Sequence, residues 1–157
     1  MSARTESDAA GRVRQMLEEI VDAVGVDAAI EVSEDADGVY ANLDGEDLGL
    51  LIGRHGQTID AIQHLAYRVA YRGENERKRV TVDAAGYRDR RAALLQQDAD
   101  EAVDEVLDTG KPVALDAMNA VERRVVHEYL RDRDGIETYS EGDEPDRHLV
   151  VAPADSQ

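Results

Sequence analysis

Two short strings in this 157-residue chain carry residue types and spacings suited to holding anions: Gly53-Arg54-His55-Gly56, and Arg123 followed four positions later by His127. Glycines three apart let the backbone turn tightly between helical segments. Its N–H groups and a helix N-terminus then converge on one spot that a phosphate can approach without meeting a Cβ. Arg54 and His55 fill the variable places and add side-chain donors, and a histidine with a reference pKa of about 6.5 gains charge readily beside a phosphate. Residues at i and i+4 share a helix face, so Arg123, His127 and Arg131 should follow one another along one side, with Arg124 beside them. Cations so placed can meet adjacent phosphates. Both patterns also have plainer origins. A helix–turn–helix corner often needs a glycine only for its positive φ, and charged helix faces with acidic partners such as Glu122 and Glu128 are common.

Composition narrows the classes. Against 18 Lys plus Arg stand 35 Asp plus Glu, a formal charge of −17, so a globally basic, non-specific nucleic-acid binder is excluded. Without cysteine there is no disulfide, no thiol nucleophile and no Cys-based zinc site. No Trp or Phe and only six Tyr argue against a base-stacking platform, so any nucleic-acid site must work through backbone geometry and hydrogen bonds. No apolar run resembles a signal peptide or a membrane span, which predicts a cytoplasmic protein without membrane insertion.

The charge is uneven. Residues 1–50 carry 3 basic and 13 acidic side chains, residues 51–91 carry 9 and 5, and residues 92–157 carry 6 and 17. Screening over about 8 Å lets a ligand at the central island feel local positive charge more than distant acid. The acidic excess reads as a chain-wide compositional trait, but it does not account for Arg68, Arg72, Arg77, Lys78 and Arg79 falling together. Each of these five also reads as an ordinary solvated charge.

The elements that must position these residues follow from periodicity. Val13, Met16, Leu17, Ile20, Val21 and Val24 predict a helix over 12–24, and strands are expected over 28–33 and 39–43 with an acidic turn between them. A short helix over 46–52 should run into the glycine loop, a longer one should follow to about 72, and a strand should cover 79–83. A second unit is expected after a short connection over 84–87. It has a helix over 88–107 with Leu95, Ala99, Ala102, Val103, Val106 and Leu107 inward, then a strand over 112–115. A helix over 117–131 follows, N-capped by Asp116, and then strands over 136–140 and 148–152. On the 117–131 helix the expected buried stripe is Met118, Val121, Val125 and Tyr129, with Val126 and Leu130 at its margin. The resulting division is a flexible N-terminus over 1–11, one domain over 12–86, a second over 87–153 and a tail over 154–157. The class is α+β: α-β-β-α-α-β followed by α-β-α-β-β.

The wider string Leu51-Ile52-Gly53-Arg54-His55-Gly56-Gln57-Thr58-Ile59 resembles the Ile-Gly-x-x-Gly-x-x-Ile signature of KH domains, and the element order is similar to their type II arrangement. That resemblance implies a clamp at Gly53, Arg54, His55 and Gly56 for the backbone of about four single-stranded nucleotides. Ile52 and Ile59 would floor a base groove or simply join the core. The run 118–127 resembles the R-three-H domain, named for an Arg and a His separated by three residues, and 145–151 is similar to its closing strand. By that resemblance Arg123, His127 and Arg147 contact phosphates. A KH unit followed by an R-three-H unit resembles the bacterial Jag family of SpoIIIJ-associated RNA-binding proteins, also called KhpB or EloR.

The family implies a regulator that binds single-stranded RNA or DNA and is linked to cell-envelope growth or division. It also implies a small KH-only partner or KH-mediated pairing of two copies. No separate N-terminal Jag domain or long linker precedes the KH unit here, so functions resting on that piece are not expected. Neither unit offers a catalytic constellation, a metal-ligand spacing or a cofactor motif. Two other classes stay open: a metal-dependent nuclease built on the acidic helix of Asp100, Glu101, Asp104, Glu105 and Asp108, and a scaffold that dimerises through the KH unit.

Overall fold

Val13, Leu17 and Val21 recur every fourth residue, and in the computed structural model, which describes residues 6–155, they line the buried side of α1 (Asp8–Val24). Ser7 caps this helix by accepting a hydrogen bond from the Ala10 N–H at 3.1 Å. Residues 8–11, expected to be flexible, therefore form its first turn. Residues 1–5 of that expected segment lie outside the described part.

β1 (Ala29–Glu34) and β2 (Gly38–Asp44) pair antiparallel, and β3 (Arg79–Ala84) pairs parallel to β2, giving the order β1-β2-β3. A parallel pair cannot be joined by a hairpin, so the chain between β2 and β3 must cross over. It does so through α2 (Gly49–Ile52), a single 3₁₀ turn (Arg54–Gly56) and α3 (Gln57–Ala70). The glycine loop lies inside that crossover. Val39, Ala41 and Leu43 of β2 and Val80, Val82 and Ala84 of β3 face the helices, where they meet Leu51, Ile59, Ile62, Ala66 and Ala70. The helix expected over 46–52 is only four residues long, because Leu48 is buried in a non-helical conformation and begins it as its cap.

The chain divides into two units, up to Arg88 and from Asp89 onward. α4 (Tyr87–Thr109) begins with the last two residues of the first unit, and within the second it buries Leu95, Ala99, Ala102, Val103 and Val106, while Leu107, expected inward, is exposed. β4 (Val113–Ala114), β5 (Ile136–Glu141) and β6 (His148–Pro153) form an antiparallel sheet in the order β4-β6-β5. Of the tail expected over 154–157, residue 154 is held in place, and residues 156–157 lie outside the described part. Pro153 ends β6, and the Ala154 N–H still donates to Gly135 O at 3.0 Å.

Two expectations fail at α5 (Ala120–Leu130). Its cap is Asn119, not Asp116: Asn119 Oδ1 accepts from the Glu122 N–H at 2.9 Å, and Glu122 Oε2 accepts from the Asn119 N–H at 3.1 Å. The helix cannot start earlier because residues 115–118 still pair with β6 and the residue before it. There the Leu115 N–H donates to Leu149 O at 2.9 Å, and the Met118 N–H donates to Arg147 O at 3.2 Å. Asn119→Ala should cost about 1 kcal/mol, read as a lower urea midpoint; an unchanged midpoint would show that this box does not hold in solution. The buried face is also rotated from the expected one. Val126 and Leu130 are 1% exposed, whereas Val121 and Val125 stand 71% and 50% exposed.

Candidate nucleic-acid interface

The loop that joins α2 to α3 is held in shape by what its glycines touch. Gly53 adopts φ 74°, and a Cβ there would fall 2.1 Å from Thr58 Oγ1; Gly56 adopts φ 77°, and a Cβ would fall 2.6 Å from the Tyr87 ring. Both positions thus require glycine twice over, for backbone conformation and for space. His55 between them also has a positive φ of 54°, a region that residues other than glycine rarely enter. Arg54 is exposed and His55 half-exposed, and neither side chain hydrogen-bonds or ion-pairs with another described residue. The loop leads directly into α3, whose first-turn N–H groups and positive dipole end lie at the same place. Backbone donors, a helix N-terminus, an arginine and a histidine are thereby brought together.

Ile59 is fully buried and belongs to the core, while Ile52 is half-buried beside the loop. Tyr87, against Gly56, shapes the loop although no motif or periodicity singled it out. Next to it Arg88 ties the neighbouring wall together. Its guanidinium donates to Val82 O at 3.0 Å, Asp60 Oδ1 at 2.8 Å and Gln63 Oε1 at 3.0 Å, and Gln63 Oε1 also accepts from the Val82 N–H at 3.0 Å. One side chain on α3, Gln63, and one from the start of α4, Arg88, thus satisfy an edge position of β3 that would otherwise offer an open donor and acceptor, with Asp60 holding Arg88 in place.

The central basic island does not gather at the loop. Arg68, Arg72, Arg77, Lys78 and Arg79 are exposed at the far end of α3 and on the way into β3, roughly 20 Å along a 14-residue helix from Gly56. Arg77 sits over the Tyr67 ring at 6.0 Å.

In the second unit the Arg-x-x-x-His pair does not lie on an outer charged face. Arg123 is 8% exposed, the one buried charged residue among those described. Its Nη1 donates to Met118 O at 2.5 Å and its Nη2 to Glu144 Oε1 at 2.6 Å. His127 is exposed, with Nδ1 hydrogen-bonded to Thr138 Oγ1 on β5, which leaves Nε2 for a ligand. Arg124 and Arg131 are exposed, and Arg124 pairs with Glu128 at 3.6 Å. Arg147 is half-buried and donates to Gly142 O at 2.6 Å across the turn between β5 and β6. The face carrying Arg123 and His127 therefore looks toward β5 and that turn. The rotation follows from the long Arg123 side chain finding two acceptors inside, and from Glu122 pairing with Arg91 of α4 at 3.0 Å.

The acidic helix is partly committed to structure. Asp100 accepts from Tyr129 Oη at 3.0 Å and from Arg133 at 2.7 Å, a hydrogen bond that raises the affinity of the Arg133 guanidinium for its proton. Among the described residues no helix is long and apolar enough to cross a membrane.

Comparison with known families matches residues 11–82 to the KhpA/KhpB KH domain and residues 93–153 to the R-three-H domain. Among characterised relatives, the chain is 36% identical over 140 residues to the RNA-binding protein KhpB of Clostridium symbiosum, covering 88% of this chain and 63% of that one. It is 39% identical over 133 residues to KhpB of Lactiplantibacillus plantarum, 85% and 41% of the two chains, and 36% identical over 138 residues to KhpB of Bacillus subtilis, 87% and 66%. The chain thus spans less than two thirds of the length of each of these relatives. Two domain matches in this order, with identity running through most of the chain, make it a member of the KhpB, or Jag, family, built from a KhpA/KhpB-type KH domain and an R-three-H domain.

Proposed function

We propose that this chain binds single-stranded RNA, with the Gly53–Gly56 loop clamping the sugar–phosphate backbone and Arg123, His127 and Arg147 receiving further phosphates. The observation that carries this reading is the loop itself: two glycines whose Cβ positions are filled by Thr58 and Tyr87, opening onto the α3 N-terminus with Arg54 exposed beside it. The relatives' name, RNA-binding protein, supports RNA as the strand. Backbone clamping suits a post-transcriptional regulator that grips a strand by its phosphates, and we infer cell-envelope growth or division as its setting. A small KH-only protein or a second copy is the partner we infer from the same source.

Fluorescence anisotropy with labelled single-stranded RNA over a salt series tests the reading. Binding should be tighter to single strands than to duplexes, which the −17 charge repels at length. Three phosphates neutralised by arginines, at Arg54, Arg123 and Arg147, imply a slope of log K against log salt of about −2. No binding at low salt would overturn the proposal and leave the scaffold reading in its place.

A further inference from the structure

The buried guanidinium of Arg123 has two partners of different kinds. One is the Met118 carbonyl, a backbone group held in place by its own neighbours; the other is the Glu144 carboxylate, whose side chain is 59% exposed. We propose that Glu144 occupies a phosphate position on Arg123, and that a strand phosphate enters by displacing it. Glu144 is then the residue that sets how tightly the R-three-H domain holds RNA. This inference rests on the RNA-binding reading above.

A carboxylate and a phosphate present similar pairs of oxygens to a guanidinium, so one can replace the other on Nη2 without moving Arg123. The turn that carries Glu144 is itself fixed. Arg147 Nη1 holds Gly142 O at 2.6 Å, the Asp146 N–H donates to Asp143 O at 2.9 Å, and Arg147 O accepts from the Met118 N–H at 3.2 Å. What can move is the Glu144 side chain, which regains rotamer freedom and full hydration when it swings out. An ion pair whose carboxylate is more than half in water is weak, so a phosphate that also meets His127 Nε2 one helical turn away displaces it at little cost. Until then Arg123 is shielded from small anions, and contact is reserved for a ligand that reaches both groups.

The test is anisotropy at low salt with a fluorescein-labelled pool of random single-stranded RNA about 12 nucleotides long. It compares the native chain, Glu144→Gln and a charge-matched control in the same turn, Asp143→Asn. Glu144→Gln should tighten binding about three- to fivefold, and Asp143→Asn much less. In an Arg123→Ala background Glu144→Gln should bring no gain. The comparison of the two turn variants stands alone if Arg123→Ala fails to fold. Equal effects of the two turn variants, a loss with Glu144→Gln, or a gain that persists without Arg123 would overturn the displacement. If the native chain binds and only these comparisons fail, the RNA-binding reading survives; if no chain binds, both fall.

Discussion

Replacing Arg54 and His55 together by aspartate should weaken binding of single-stranded RNA on the order of a hundredfold, from loss of charge-assisted hydrogen bonds and reversal of local charge beside a phosphate. Thermal unfolding should stay close to that of the native chain. The separation of the two readouts follows from the loop. Arg54 is exposed, and neither side chain supports another described residue, so removing them opens no cavity and strands no buried group. His55 holds φ 54°, ψ 25°, and aspartate is among the residues that tolerate this left-handed region. Substituting the glycines would be less informative. A Cβ at Gly56 would strike Tyr87, so lost binding and lost structure would arrive together. Retained affinity in the double aspartate variant would move the clamp away from this loop.

Arg123→Ala should lower the stability of the R-three-H domain by about 2–3 kcal/mol, measured by urea denaturation followed with circular dichroism. The Met118 carbonyl loses a charged donor inside the domain, and the volume of a side chain that is 8% exposed is left unfilled. The figure stays below that for breaking a fully buried ion pair because the Glu144 side chain, 59% exposed, can return its charge to water. His127→Ala, at an exposed position, should change stability much less while weakening RNA binding. An unchanged midpoint for Arg123→Ala would mean that the buried guanidinium holds nothing together, and the rotation of α5 would need another cause.

The two strings first singled out have different fates, for a physical reason. The KH loop was legible in its own residues. Glycine spacing, flanking isoleucines and a short helix before a long one all describe contacts within about ten residues, and local geometry follows local sequence. The Arg-x-x-x-His motif was legible as a pair sharing one helix face, but not as to which way that face points. Val121 and Val125 offer an apolar stripe as regular as that of Val126 and Leu130. Periodicity alone cannot choose between two such stripes on one helix.

By itself the sequence determined the order of the elements, the setting of the loop between a short helix and a long one, and the absence of thiol chemistry, because these depend on residue type and short-range pattern. Only the tertiary structure decided that Tyr87 shapes the loop, that Gln63 and Arg88 close the β3 edge, and that Arg123 turns inward to Glu144. Each of these joins residues 19 or more positions apart, except Arg88 with Val82, which meets across a turn. The helix turned because a guanidinium needs acceptors wherever it is buried, and the Met118 carbonyl and a carboxylate 21 residues downstream supplied them.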